Sequence, residues 1–292
     1  FYKKDGGDLF SYSFSGDTKE KTSNLTIIGI LEAFWSPTKD RALVLYLDDE
    51  TIKGFLHQGT STITTLPQNI KSAAWSQDAK TLAYLILQND EINLVLSDSS
   101  GKKPKTIFRT PIQDVKTHWI TKDLFAFTTN ASGLAEGFIF TLNRTSGVFK
   151  KIVGPFFGLT SLWSEDGSRV LTSSTNTNGK NTRMRVWDNS GNVLSAIGVK
   201  TLAEKCIFAN KDEIYCAVPN EIYQDTTLPD DYFSGEFHPQ DRLVYIDLKN
   251  NETRELLKEG VFDMSNLVIT QNKDYLFFVN RFDGTLWRIK LK

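Results

Sequence analysis

The segment Leu162-Trp163-Ser164-Glu165-Asp166-Gly167 ends a hydrophobic stretch with an aromatic residue, turns through polar residues and leads into a second hydrophobic stretch. The same order occurs at four other places: Phe34-Trp35-Ser36-Pro37, Ala74-Trp75-Ser76-Gln77-Asp78, His118-Trp119-Ile120-Thr121 and Ile207-Phe208-Ala209-Asn210. The successive aromatic residues Trp35, Trp75, Trp119, Trp163 and Phe208 are 40, 44, 44 and 45 residues apart. A period of roughly 40–50 residues with several short strands in each is typical of a β-propeller.

Each period contains sequence for four antiparallel strands, which the second period places at 71–75, 81–87, 92–97 and 105–108. The second strand of each period is a nearly continuous apolar run, which is typical of a strand buried on both faces. The predicted fold class is therefore all-β, a β-propeller of four-stranded antiparallel blades. We prefer seven blades and keep six as the alternative.

Both ends of the chain contain strand-like sequence. The segment Phe1–Leu9 is similar to the segment Phe278–Leu286, so both ends look like the same corner of a blade. We predict that the N- and C-terminal strands close the ring together, because pairing them removes exposed sheet edges. The prediction is a single β-propeller domain over 1–292. Since the chain begins at Phe1 inside a strand-like stretch, we expect a fragment or processed form, with any signal or anchor upstream.

The composition argues against two classes of partner. The 34 Lys and Arg residues are balanced by 35 Asp and Glu residues, which gives a net charge of −1. Without a basic stripe we expect no nucleic-acid partner. No apolar run approaches the roughly 18 residues that a membrane-spanning helix requires, so we expect no direct membrane insertion by this chain.

The two cysteines, Cys206 and Cys216, lie on the two strands of one predicted hairpin whose turn is centred on Lys211. If the hairpin is symmetric, they are directly opposite each other, with Cβ atoms about 4.5–5.5 Å apart. That separation is slightly wide for a disulfide. Two interpretations stay open. One is a cross-strand disulfide, which would favour an oxidising compartment, and the other is two buried thiols that pack as small hydrophobic groups.

The Trp-Ser-x-Asp-Gly turn, clearest at Trp163–Gly167, resembles the repeat of TolB-type propellers, which are relatives of WD-repeat proteins. The chain departs from that repeat at Ala79, where glycine is usual, and at Thr38-Lys39, which replaces Asp-Gly. We interpret the five repeat aromatics as core residues between blades. More narrowly, the chain resembles the propeller of exported bacterial proteins that carry a small β domain called PEGA. That resemblance implies an extracytoplasmic location at the cell envelope and no known reaction.

The fifth period contains one conspicuously long loop, Pro219–Asp241, of about twenty residues where other periods use roughly five to ten. Long ordered loops in compact domains are usually functional. Aromatic residues among acidic ones predict a recognition loop on one rim. The alternative is a plug that packs over the channel mouth or a neighbouring blade. The predicted partner-binding residues are Tyr223, Asp225, Asp230, Asp231, Tyr232, Phe233, Phe237 and His238.

Metal and catalytic signals are weak. Calcium takes about six to eight oxygen ligands, but the acidic residues of the long loop match no calcium-loop spacing, so we expect no metal and no cofactor. The three histidines are His57, His118 and His238. There is no Gly-x-Ser-x-Gly elbow and no glycine-rich phosphate loop, so no catalytic residue is assigned.

The leading functional prediction is a non-catalytic interaction module at the bacterial cell envelope. It would bind a protein or peptide partner through the rim that carries the long loop. Two alternatives are a glycosidase- or lyase-type envelope enzyme with its site at the channel mouth, and a purely structural envelope module.

Overall fold

A computed structural model of the chain describes residues 7–13, 18–23, 27–59, 62–258 and 260–291. The described residues form almost entirely antiparallel strands, and the chain divides into two compact units, 1–125 and 126–292. The single domain over 1–292 stays a prediction. Residues 1–6 lie outside the described residues, so the corner expected at Phe1–Leu9 and the closure by the terminal strands also stay predictions.

The first unit contains strands that pair with their neighbours in sequence order. They are β1 (Phe10–Ser13), β2 (Thr18–Lys21), β3 (Ile30–Trp35), β4 (Arg41–Asp48), β5 (Thr51–Gln58), β6 (Thr62–Thr65), β7 (Ile70–Trp75), β8 (Thr81–Gln88), β9 (Glu91–Asp98), β10 (Lys105–Thr110) and β11 (Val115–Thr121). Strands β3–β6 and β7–β10 form two four-stranded antiparallel sheets, and β1 pairs with β2. The four-strand period predicted from the sequence is therefore present in both of the larger sheets.

The second unit continues the same pattern, and β12 (Leu124–Thr129) crosses the boundary between the units. Its other elements are β13 (Glu136–Asn143), β14 (Phe149–Trp163), β15 (Arg169–Thr175), β16 (Arg183–Asp188), β17 (Val193–Ile197), a 3-10 helix (Ala203–Lys205), β18 (Cys206–Asn210), β19 (Glu213–Pro219), α1 (Asp230–Ser234), β20 (Asp241–Asp247), β21 (Glu252–Leu257), β22 (Met264–Ile269), β23 (Tyr275–Asn280) and β24 (Leu286–Lys290). Strands β18–β21 form a four-stranded sheet and β22–β24 a three-stranded one.

The long strand β14 belongs to two repeats. Its first half pairs with β13 and its second half pairs with β15, so one repeat's last strand runs directly into the next repeat's first strand. The cis peptide bond between Gly154 and Pro155 lies within β14.

Apolar residues from neighbouring sheets form the cores, and Trp75 shows how. Its side chain is buried in one cluster with Leu43 and Leu56 of the preceding sheet. Its indole Nε1 donates a hydrogen bond to the carbonyl oxygen of Phe34 at 2.8 Å. Because the only polar atom of the ring is satisfied, the ring can be buried between the sheets at little cost. Phe208 is buried in the corresponding cluster of the second unit.

The turn that follows Trp163 explains the recurring Ser-x-Asp-Gly pattern. The Ser164 hydroxyl donates to Asp166 Oδ1 at 2.7 Å and accepts from the backbone N–H of Arg169 at 3.0 Å. Gly167 takes a φ of 67°, which favours glycine. Ala79 occupies the equivalent position with a φ of 56°, so that repeat keeps the turn with a residue that adopts it less readily.

Cys206 and Cys216 form a disulfide on the hairpin of β18 and β19. The two residues are directly paired in the strand register, as the symmetric hairpin predicts. Both are buried in the core cluster of this sheet. Of the two interpretations left open by the sequence, the structure has the cross-strand disulfide.

Reducing this disulfide should lower the free energy of unfolding by about 2–4 kcal/mol, because the oxidised pair restricts the unfolded chain. Urea unfolding with and without reductant measures the change. The variant with Cys206→Ala and Cys216→Ala is the control and should be insensitive to reductant. A wild-type curve that does not move on reduction would contradict the prediction.

Candidate functional site

The Pro219–Asp241 loop is ordered around α1, and part of it is core. Leu228, Tyr232 and Phe237 are 2%, 7% and 5% exposed and form a hydrophobic cluster with Leu202. The sequence analysis did not predict α1, which has five residues. The helix is capped at its C-terminus by Gly235, whose φ of 83° lies in the left-handed region. The loop therefore packs into the protein through one apolar residue of the short helix and one on each side of it.

Hydrogen bonds to main-chain atoms hold the loop against two neighbouring connections of the same unit. The backbone N–H of Leu228 donates to the carbonyl oxygen of Gly179 at 2.9 Å. The Lys180 ammonium donates to the carbonyl oxygen of Thr226 at 2.6 Å. On the other side, Asp230 Oδ2 accepts from the backbone N–H of Gly133. These bonds fix the course of the loop relative to two adjacent strand connections.

The eight residues predicted for partner binding separate into three groups. Tyr223, Asp225, Phe233 and His238 are exposed; Asp230 and Asp231 are half-buried; Tyr232 and Phe237 are buried. The two buried rings are packed in the core and present no surface to a partner. Binding through the exposed residues stays a prediction.

A buried ammonium group lies beneath this loop. Lys205, the last residue of the 3-10 helix, has a side chain that is 2% exposed. Its Nζ is 2.8 Å from Asp241 Oδ2 and 2.9 Å from Asp263 Oδ1, and both carboxylates are fully buried. The Tyr232 ring centroid is 4.5 Å from the same nitrogen. We call Lys205, Asp241, Asp263, Tyr232, His238 and Arg281 the Lys205 cluster.

The cluster joins elements of two sheets. Asp241 begins β20, Asp263 immediately precedes β22, and Arg281 immediately follows β23. The Arg281 guanidinium is 4.2 Å from the Tyr232 ring centroid and donates to the Tyr232 carbonyl oxygen at 3.0 Å. Its Nη1 is 3.6 Å from Asp263 Oδ2. Residues far apart in sequence thus converge because strand ends of adjacent sheets meet here.

Burial controls the charges in the cluster. It raises the pKa of Asp241 to about 6, and the attraction of Lys205 and the hydrogen bond from the Met264 N–H only partly oppose that effect. Asp241 Oδ1 is buried without a hydrogen-bond partner, which is consistent with a poorly solvated carboxylate. Burial also acts to lower the pKa of Lys205, but Asp241, Tyr232 and Asp263 together leave that pKa raised. Lys205 is therefore a cation.

His238 is the member of the cluster that reaches solvent. Its side chain is 38% exposed, and its Nδ1 is 3.0 Å from Oδ2 of the fully buried Asp263. A carboxylate in this position favours the tautomer with the proton on Nδ1, which leaves Nε2 as the acceptor. The Phe282 ring centroid lies 6.0 Å from the imidazole centroid. The arrangement is an oriented, solvent-accessible base.

Sequence reasoning found His238 and Tyr232 but missed Lys205, Asp263 and Arg281. The available signal was Lys205 itself, which stands between the apolar residues Leu202 and Phe208 at the start of a predicted core strand. Its two carboxylate partners follow 36 and 58 residues later, and no spacing rule connects them.

In the ranges that the structure describes, no group of three or more His, Cys, Asp or Glu side chains is placed to hold a metal ion. Asp241 and Asp263 instead direct oxygen atoms at the Lys205 ammonium. Across the same ranges no helix combines the length and the apolar composition that crossing a bilayer would need.

Comparison with solved structures shows the fold class. The chain is similar to the beta-propeller domain of the Trilobed protease from Pyrococcus furiosus, with a TM-score of 0.63 and 12% identity over 98% of this chain and 86% of that one. It is also similar to TolB from Acinetobacter baumannii, with a TM-score of 0.55 and 16% identity over 87% of this chain and 60% of that one. The predicted β-propeller is confirmed, and the blade count stays a prediction.

Other structures of the same fold include enzymes. Oligogalacturonate lyase in complex with manganese has a TM-score of 0.69 and 10% identity over 98% of this chain and 83% of that one. Tricorn protease is similar over 98% of this chain, which spans only 31% of the tricorn chain. Acylaminoacyl peptidases also match. No family model matches the chain, and no curated protein does.

These neighbours correct the leading functional prediction. The sequence analysis took a propeller without a recognisable catalytic motif to be a non-catalytic interaction module, and that prediction is wrong. The same fold occurs in chains named as peptidases and as a lyase. The physical reason is that a propeller brings together side chains from distant strand ends, so a catalytic set leaves no local motif.

The Lys205 cluster predicts a large stability cost when its cation is removed. Lys205→Met should lower the free energy of unfolding by about 3–5 kcal/mol, because it leaves two buried carboxylates without their counter-ion. Lys273→Met is the matched control, since its ammonium is 3.5 Å from Glu213 and 36% exposed, and it should cost about 1 kcal/mol or less. Equal losses in urea unfolding would contradict a buried ion cluster.

The raised pKa of Asp241 predicts that the free energy of unfolding depends on pH and that Asp241→Asn removes this dependence. In the folded protein the Asp241 carboxyl keeps its proton up to about pH 6. In the unfolded chain it loses that proton at about pH 4. Folding therefore takes up a proton in this range, and the stability contributed by Asp241 falls as the pH rises through it. Between pH 4 and pH 7 the wild-type free energy of unfolding should fall relative to the variant by up to about 3 kcal/mol. A difference independent of pH would contradict the raised pKa.

Proposed function

We propose that the surface around His238 is the active site of a lyase-type enzyme that cleaves an oligosaccharide carrying carboxylate groups. One observation carries the proposal: His238 is exposed, while its Nδ1 is 3.0 Å from the fully buried carboxylate of Asp263. Lys205 Nζ, 2.9 Å from the other oxygen of Asp263, holds that carboxylate in place.

The geometry supports a proton acceptor more than a nucleophile-activating group. An oriented imidazole with a free nitrogen is a common general base, and a buried carboxylate stabilises the imidazolium that forms. Within the described ranges, the hydrogen-bond partner of His238 is Asp263, and no serine or cysteine is hydrogen-bonded to it. A base without an adjacent nucleophile suits removal of a proton from the substrate itself.

Elimination is a reaction that needs such a base. His238 Nε2 would take the proton from the carbon next to a sugar carboxylate. The electron pair left behind would form a carbon–carbon double bond as the adjacent glycosidic C–O bond breaks, and water would protonate the departing oxygen. Arg281, 23% exposed, supplies positive charge beside the base. The exposed rings of Phe233 and Phe282 supply apolar surface for sugar rings.

The share of each neighbour that this chain covers favours the comparison with the lyase. The chain spans 83% of oligogalacturonate lyase but only 31% of tricorn protease. A lyase can therefore be built on little more than a propeller of this size. That structure contains manganese. Since the Lys205 cluster has no free carboxylate pair for a metal, the proposed step uses only the chain's own residues.

An extracytoplasmic location is part of the proposal. The Cys206–Cys216 disulfide is typical of proteins in oxidising compartments. The similarity to TolB is compatible with an envelope propeller, and the resemblance to the propellers of PEGA-containing exported proteins suggests the same place.

His238→Gln should lower the rate of product formation on uronate-containing oligosaccharides by about 10²–10⁴-fold, because it removes the base. The new conjugated double bond is measured by ultraviolet absorbance. The amide of the glutamine can still donate a hydrogen bond to Asp263, so the melting temperature should stay nearly unchanged.

Two further measurements sharpen the test. Glu252→Gln is the control and should keep wild-type activity, because Glu252 is exposed and pairs with Asp247, at the opposite end of β20 from Asp241. Assaying new reducing ends in parallel distinguishes the reactions, since hydrolysis produces them without absorbance. Absence of turnover on a panel of uronate polymers, or equal turnover by H238Q, would refute the proposal.

A further inference from the structure

A small cavity in the second unit is lined by two arginines. Its volume is about 170 Å³, and its lining residues are Phe156, Ser174, Thr175, Asn176, Asn181, Arg183 and Arg185. Pockets for drug-sized ligands are about 300–1,000 Å³, so this cavity accepts a single ring or a small anion. It lies where β15 ends and β16 begins.

The strand register places the arginines together. Arg183 and Arg185 are two residues apart on β16 and therefore lie on the same face of the sheet, with Trp187 next in that row. The Arg185 guanidinium is 5.5 Å from the Phe156 ring centroid, and that ring is 6.0 Å from Trp187. Trp187 Nε1 in turn donates to Thr172 Oγ1 at 2.8 Å. The wall of the cavity is thus built from packed groups.

The cavity contains polar groups without protein partners. Over the described part of the chain, neither Arg183 nor Arg185 forms a salt bridge or donates a side-chain hydrogen bond. Two like charges on one face repel each other, so an anion bound between the two guanidinium groups relieves that repulsion.

We propose that this cavity is a binding site for one acidic sugar ring. The carboxylate would pair with Arg183 and Arg185, since arginine matches carboxylates with two parallel N–H groups. Ring hydroxyls would pair with the side-chain amides of Asn176 and Asn181. The site does not depend on His238, so it goes beyond the proposed lyase activity and can be tested without turnover.

The lining favours an acidic sugar over other carboxylates. Two amide side chains beside the arginines offer hydrogen bonds that an apolar amino acid or a bare anion does not use. The cavity size fits one ring. A peptide C-terminus shares the carboxylate, so the experiment includes it as a separate probe.

Isothermal titration of the full chain with galacturonate tests the site. Galactose lacks the carboxylate and should bind at least roughly tenfold more weakly, as expected for loss of a charge-assisted pair. Inorganic phosphate and N-acetylalanine, which keep the charge without the ring hydroxyls, should also bind more weakly than galacturonate. His238→Gln should bind galacturonate as the wild type does, which separates this site from the proposed active site.

Two variants locate the binding. Arg183→Gln with Arg185→Gln should abolish it, whereas Arg254→Gln, an exposed arginine elsewhere in the unit, should leave it unchanged.

Three outcomes would overturn the proposal. One is no galacturonate binding by the folded wild type. The second is equal affinity for galacturonate and galactose. The third is tighter binding of N-acetylalanine or phosphate than of galacturonate, which would assign the cavity to peptide carboxylates or to free anions.

Discussion

The ammonium group of Lys205 is buried, and the loops of the second unit are arranged around that constraint. Burying a charge without a partner lowers the free energy of unfolding by roughly several kcal/mol, even after the protein relaxes. Two carboxylates therefore have to reach the same point, and Asp241 and Asp263 do so from the starts of two strand segments in adjacent sheets. Because Asp241 is the first residue of β20, the long loop must end over Lys205. Helix α1 then places the Tyr232 ring 4.5 Å from the ammonium.

The strands were predictable because their signals are local. In the second period, the four strands predicted at 71–75, 81–87, 92–97 and 105–108 lie within β7 to β10 and end within two residues of them. Helix α1 was not predicted, because five residues are too few to show a helical period and its N-cap is a proline. Strand β14 continues through Gly154-Pro155, a residue pair that ordinarily marks a turn.

The candidate site was only partly predictable, for a different reason. The loop attracted attention by its length and its aromatic residues, yet Tyr232 and Phe237 are core residues whereas Phe233 is exposed. Which ring faces inward is decided by the pitch of α1 and by Leu202 beneath it. The partners of Lys205 and the arginines of the cavity are fixed by strand register and by adjacency of sheets. Charged residues are usually exposed, so a sequence offers no reason to pair Lys205 with Asp263.

The two proposed sites are mechanically linked through the main chain. Gly179 belongs to the connection between Asn176 and Asn181, two of the residues that line the cavity, and its carbonyl oxygen accepts from Leu228 of the loop that carries His238. Lys180 adds a second bond, to Thr226. Backbone hydrogen bonds between short connections fix a distance better than exposed side chains do. The connection that lines the cavity and the loop that carries His238 therefore restrain each other's backbone.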